Sequence, residues 1–72
     1  MDVKITTEVA GRICAISVAV GGSVEHGDDI AIVEAMKMEI PVPSPADGRI
    51  KSILVTIDDV VAEGQTIAVI EA

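Results

Sequence analysis

Apolar residues along this chain come in short alternating runs separated by polar or glycine-containing breaks, and the succession of runs is written twice. Val3 and Ile5 alternate with polar neighbours, as do Ile40 and Val42, which is the spacing of a strand with one buried face. The segments from Gly11 to Val20 and from Gly48 to Ile57 are rich in β-branched residues and predict the two longest strands. Within the first, Ile13 is followed by Ile16, Val18 and Val20. This passage from odd to even positions predicts a bulge or bend near Ala15 and at the matching place in the second copy. Gly21-Gly22 and Asp58-Asp59 are turn formers. Val24-Glu25-His26-Gly27 and Val61-Ala62-Glu63-Gly64 predict short turns closed by a glycine with positive φ. Ile30-Ala31-Ile32-Val33 and Ile67-Ala68-Val69-Ile70 read as short buried strands, and no segment sustains helical spacing. Pro41, Pro43 and Pro45 hold the chain after residue 37 extended, and a strand there belongs at a sheet edge.

Sliding residues 38–72 back by 37 positions lays them on residues 1–35 without a gap, and twelve of the 35 aligned pairs are identical. Gly48-Arg49-Ile50 falls on Gly11-Arg12-Ile13, Gly64 on Gly27, and Glu71-Ala72 on Glu34-Ala35. Only Met36 and Lys37 belong to neither copy. A half of about four short strands cannot bury its apolar face alone. Two halves packed through a quasi-two-fold axis, exchanging strands, can. The expectation is one all-β domain over residues 1–72, a flattened barrel or sandwich of about eight short strands. Met36-Lys37 is then the hairpin turn joining the copies. The chain ends occupy the symmetry-related place on the other side of the molecule, and Lys37 projects from a tip.

Composition sharpens this picture. A chain of 72 residues buries only ~60% of its unfolded surface, so its stability is marginal. One cysteine permits no internal disulfide, and one histidine with one cysteine makes no zinc set. Without Phe, Tyr or Trp, the core must be thin and built from Val, Ile and Ala, with little room for a pocket of the usual ~300 Å3. A net charge of −7 with five scattered Lys and Arg residues argues against nucleic acid. The acidity reads as solubility, or as a surface for basic partners. With Met1-Asp2-Val3-Lys4 followed by no apolar run, no signal peptide is expected, and no apolar run nears the ~20 residues of a membrane span. The setting expected for a single thiol is reduced and cytoplasmic, with no membrane partner. No nucleophile stands beside a base in any readable pattern, so the isolated chain is expected not to be an enzyme. His26 reads as a solvated turn residue. Cys14, matched by Lys51, reads as a spectator on an exposed strand face. Of the matched Arg12 and Arg49, only the one near Lys37 is a functional candidate.

Glu34-Ala35-Met36-Lys37-Met38 resembles the attachment motif of biotinyl domains, the carriers of biotin-dependent carboxylases, decarboxylases and transcarboxylases. Pro45-Ala46-Asp47-Gly48-Arg49-Ile50 and Val24-Glu25-His26-Gly27-Asp28 are similar to that family as well, so the resemblance spans essentially the whole chain. It implies the barrel-sandwich hybrid, or hammerhead, fold. It also implies that biotin protein ligase joins biotin to the Nε-amine of Lys37 from biotinyl-adenylate. Met36 and Met38 are the flanking motif of the modified turn, and Glu34 and Ala35 complete it, with Glu34 a candidate ligase contact. The implied partners are that ligase, a biotin carboxylase that loads CO2 and a carboxyltransferase that delivers it to an acyl-CoA or keto acid. The carrier itself is expected to be non-catalytic and, as an isolated domain, monomeric. The alternatives are a lipoyl carrier, whose lysine typically follows aspartate without flanking methionines, and an unmodified structural adaptor of the same fold. Because the two copies align without a gap, no protruding thumb is expected. That points away from thumb-bearing acetyl-CoA carboxylase carriers and toward the domains of multidomain carboxylases and decarboxylases. A free-standing carrier and one domain of a longer protein both remain open.

Overall fold

Each alternating run becomes a strand in the computed structural model, which describes residues 1–72 throughout. The strands are β1 (Asp2–Thr6), β2 (Gly11–Ile16), β3 (Ser23–Val24), β4 (Asp29–Ala35), β5 (Met38–Pro43), β6 (Gly48–Ile53), β7 (Val60–Val61) and β8 (Thr66–Glu71). They form two four-stranded antiparallel sheets, ordered β1-β8-β6-β3 and β5-β4-β2-β7. Replacing every strand by its repeat mate turns one order into the other, so the duplication in the sequence is a two-fold relation in space. Each sheet draws two strands from each copy, and the expected strand exchange is present.

Matching hydrogen bonds carry the symmetry into the loops. Gly27 N–H donates to the Ser44 carbonyl at 2.9 Å, and its mate Gly64 N–H donates to the Thr7 carbonyl at 2.8 Å. Asp58 N–H donates to the Ile13 carbonyl and Gly21 N–H to the Ile50 carbonyl, both at 2.8 Å. Gly27 and Gly64 adopt φ of 90° and 82°, as their place at the end of a turn demands.

The core is paired in the same way. Ile5 and Val42, Ile13 and Ile50, Val24 and Val61, Ile30 and Ile67, Ala31 and Ala68, Val33 and Ile70 are all buried as mates. Val55 alone is buried without its counterpart, because Val18 stays half-exposed. Thr7 and Ser44 are the two buried polar residues, also a mated pair. Burial costs little here because each hydroxyl donates locally, Thr7 Oγ1 to the Val9 carbonyl at 2.8 Å and Ser44 Oγ to the Ala46 carbonyl at 2.7 Å.

The bulge expected near Ala15 is there. Ladder register shifts between Ile13 and Ala15 on β2 and between Ile50 and Ser52 on β6, leaving Cys14 and Lys51 as the extra residues. Cys14 is consequently half-buried and not on the open face its partner Lys51 suggests. The strand lengths also differ from expectation. Ser17 N–H still bonds the Ile30 carbonyl, but the chain then leaves the sheet, so β2 and β6 stop at Ile16 and Ile53. Seven-residue β4 is the longest strand instead. Residues 18–20 and 55–57 are the crossings that carry each copy from one sheet to the other. Pro41 and Pro43 lie on β5, an edge strand as expected, where a missing N–H disturbs no second neighbour.

Candidate functional site

β4 and β5 form a hairpin whose ladder runs to its last pair, Ala35 opposite Met38. The two residues between them must therefore make a two-residue turn. Met36 and Lys37 have φ of 50° and 65°, the left-handed pair that defines a type I′ turn. That turn type matches the right-handed twist of the flanking strands, although neither residue is the asparagine or glycine that adopts it most cheaply. Met36 is 96% exposed and Met38 63% exposed, so the tip is apolar on both sides of an exposed lysine.

Lys37 makes no ion pair within the chain, since the three salt bridges involve Arg12 with Glu34, Arg12 with Asp58, and Lys51 with Asp2. Its primary amine projects unpartnered, which fits attachment through an amide to a cofactor bearing a carboxylic acid. No three His, Cys, Asp or Glu side chains converge anywhere in the fold.

Behind the tip, Glu34 stands directly opposite Glu39 on the ladder, a like-charge placement that costs stability. Arg12 compensates on β2. Its Nη2 donates to Glu34 Oε1 at 3.0 Å while Nη1 donates to Asp58 Oδ1. These bonds, first to Glu34 and then to Asp58, raise the guanidinium above its ordinary value. Arg12 thus ties the base of the hairpin to the turn before β7. Its mate Arg49 has Glu71 opposite on the ladder but no second carboxylate, because Gly21 stands where Asp58 stands in the other half. Of the two arginines, Arg12 is the one at the lysine end. The motif residues Glu34, Ala35, Met36, Lys37 and Met38 are accordingly consecutive on one hairpin tip, with Glu34 held from behind.

A surface feature that sequence reading missed lies beside this tip. An open groove of about 380 Å3 is walled by Val9, Ala10, Ile40, Ala35, Met36 and Met38, with Glu8 and Glu63 at its rim. A second groove, of about 310 Å3, runs between the edge strands β1 and β5 past Thr6, His26 and Pro43. Both correct the expectation that so thin a core leaves little room for a pocket of that size. The room lies on the surface, where three separate chain segments meet, and no periodicity in any one of them signals it.

The chain ends take the place the repeat assigns them. Ala72 N–H bonds the Met1 carbonyl at 2.9 Å, the position equivalent to Ala35 opposite Met38. Met1 precedes β1, whereas Glu8 and Val9, just beyond the far end of that strand, border the lysine tip.

The family model described as "Biotin-requiring enzyme" matches residues 1–70. The Biotin/lipoyl attachment protein of Bacillus subtilis (strain 168) is 40% identical over 38 residues, 53% of this chain and 52% of that protein. This aligned stretch is thus about half the length of that curated relative. The urea carboxylase of Kluyveromyces lactis superposes with a TM-score of 0.93 at 37% identity, over 99% of this chain and 6% of that one. A single-chain, multi-domain long-chain acyl-CoA carboxylase superposes with a TM-score of 0.87 at 26% identity, over 94% of this chain and 7% of that one. The fold is therefore that of a small part of much larger carboxylases, and the chain belongs to the biotin/lipoyl-attachment family of biotin-requiring enzymes.

Proposed function

We propose that this chain is a biotin carboxyl carrier, with biotin joined by an amide to Lys37 Nζ. The observation that carries the reading is the exposed Met36-Lys37-Met38 tip on a type I′ turn. A biotin protein ligase supplies the activated donor: the amine attacks the acyl carbon of biotinyl-adenylate, AMP leaves, and the amine proton is lost to solvent. When bound, biotin supplies a ureido nitrogen that accepts a carboxyl group at a biotin carboxylase and releases it at a carboxyltransferase. Lys37 provides reach, the hairpin provides a rigid mount, and tethering raises the local concentration of the ring at each partner to ~mM. The two solved relatives are named as carboxylases of urea and of long-chain acyl-CoA, so the acceptor class follows from the partner and not from this fold. The carrier acts without catalytic groups of its own, as a monomer and in the cytoplasm.

Lipoyl attachment is the competing reading, and methionine on both sides of Lys37 together with the absence of an aspartate at 36 favours biotin. Intact mass separates them. Incubation with biotin, ATP and a biotin protein ligase is expected to add one biotinyl group, and Lys37→Arg to abolish the addition with unchanged circular dichroism. Addition of a lipoyl group alone under matched lipoyl-ligase conditions, or of nothing, would sink the proposal.

A further inference from the structure

Most residues of the groove have a repeat mate at the chain-terminus end, but Met36 has none, and the apolar groove is found only at the lysine end. The cause is local. At the chain-terminus end, Asp47 Oδ1 accepts from His26 N–H at 2.7 Å and draws the loop onto the turn. At the lysine end the equivalent positions are Ala10 and Glu63; alanine has no carboxylate to accept that bond, and Met36 adds an apolar wall that the other end lacks.

From this we infer that the groove is a docking site for the bicyclic ureido ring carried by Lys37 itself, an inference that rests on the biotin reading above. Its walls are aliphatic or thioether, from Val9, Ile40, Met36 and Met38, and suit the fused apolar thioether ring. Its rim carries the Glu8 and Glu63 carboxylates, which form no ion pair and only accept hydrogen bonds. A ureido ring offers two N–H donors to such a rim, whereas a dithiolane offers none. The groove therefore discriminates between the two cofactors of the family in favour of biotin. The occupant needs no intrinsic affinity of note. A tethered ring at an effective concentration of ~mM half-fills a site whose Kd is also ~mM. The carrier then shuttles between a parked state, in which the ring is shielded, and an extended state available to partners.

Nuclear magnetic resonance of the ligase-modified protein tests this after intact mass has established the modification. Biotinylation is expected to shift the amide signals of Val9, Ala10 and Glu63 and to give nuclear Overhauser contacts between ring protons and the methyls of Val9 and Ile40. Ala10→Asp, which rebuilds the closure seen at the other end, should remove those contacts while Lys37 is still modified. Glu63→Gln, at an exposed position that leaves the fold intact, should weaken them. If biotin is attached but the shifts stay within residues 35–38, the groove proposal falls and the carrier reading stands. If the mass shows no biotin, the carrier reading itself falls. Shifts at Val9 and Glu63 produced by adding ligase to unmodified protein, and not by the modification, would reassign the groove to the ligase and overturn the proposal.

Discussion

Met36 and Lys37 hold left-handed backbone at roughly 1–2 kcal/mol each, a cost that asparagine or glycine largely avoids. The pairing of β4 with β5 imposes that geometry, and the side chains at the tip are kept in spite of it. Met36→Asn is therefore expected to raise unfolding stability by about 1 kcal/mol in urea titration while slowing ligase labelling of Lys37. Asp58 raises the same issue, with φ of 79° where the other copy has Gly21. Here the strained carboxylate serves Arg12, so Asp58→Gly and Asp58→Ala both lose the ion pair, but the alanine variant should be about 1 kcal/mol less stable than the glycine one. Asp2 and Lys51 form an exposed pair at 2.8 Å, which lowers the aspartate and raises the lysine, chiefly through their hydrogen bond. A lowered carboxylate stabilises the fold above its ordinary value of 3.8 and loses that contribution as pH falls through the folded value below it. A raised ammonium stabilises below its ordinary value of 10.5 and loses that contribution as pH rises through the folded value above it. Thermal melts of wild type and Asp2→Asn should accordingly differ slightly near neutrality, less at high salt, and converge at both extremes. At this scale the lysine was legible because it breaks the repeat. Its positive φ was not, because neither Met36 nor Lys37 is a residue that announces one.

Strand position was legible where side chains alternate and illegible where the chain changes sheets. The bulge at Cys14 and Lys51 shows in the sequence as a phase change, since an inserted residue flips every later side chain to the other face. The end of β2 does not show. Val18 and Val20, like their mates Val55 and Ile57, keep a β-branched pattern through a crossing that is no longer paired, so the sequence pattern looks continuous. Gly11 and Gly48 open β2 and β6 for a reason that only the packing reveals. A Cβ on Gly11 would collide with the Glu34 carbonyl and lie 2.7 Å from Val33 Cγ1. One on Gly48 would lie 2.5 Å from Ile70 Cγ2 and 2.6 Å from the Glu71 carbonyl. Since backbone cannot yield as a flexible side chain does, Gly11→Ala and Gly48→Ala should each cost about 1–3 kcal/mol by denaturant titration. The Gly11 variant should also disturb the strand that carries the attachment motif, so its labelling rate should fall where that of Gly48→Ala does not.

Neither half of the molecule owns a sheet. Six of the mated core pairs are shared between copies that each contribute two strands to each sheet, so fragments 1–37 and 38–72 should be unfolded alone. Mixed, they lack only one peptide link, at a point whose symmetry mate is already a chain break closed by backbone hydrogen bonds. An equimolar mixture should therefore recover the far-ultraviolet dichroism of the intact chain, and failure to do so would mean that the turn is needed for assembly. The whole-molecule symmetry was legible from the gapless repeat, whereas the groove was not, because its walls come from three separate segments and include Met36, which has no mate. The pairing of Met1 with Ala72 has a mechanical consequence. Any polypeptide joined to this domain at either end would leave from the same small patch, at the end of β1 away from Lys37. Pivoting there, a stiff body 33 Å long becomes a lever, and the radius swept by the lysine is set first by the length of the sandwich and only then by the side chain at its tip.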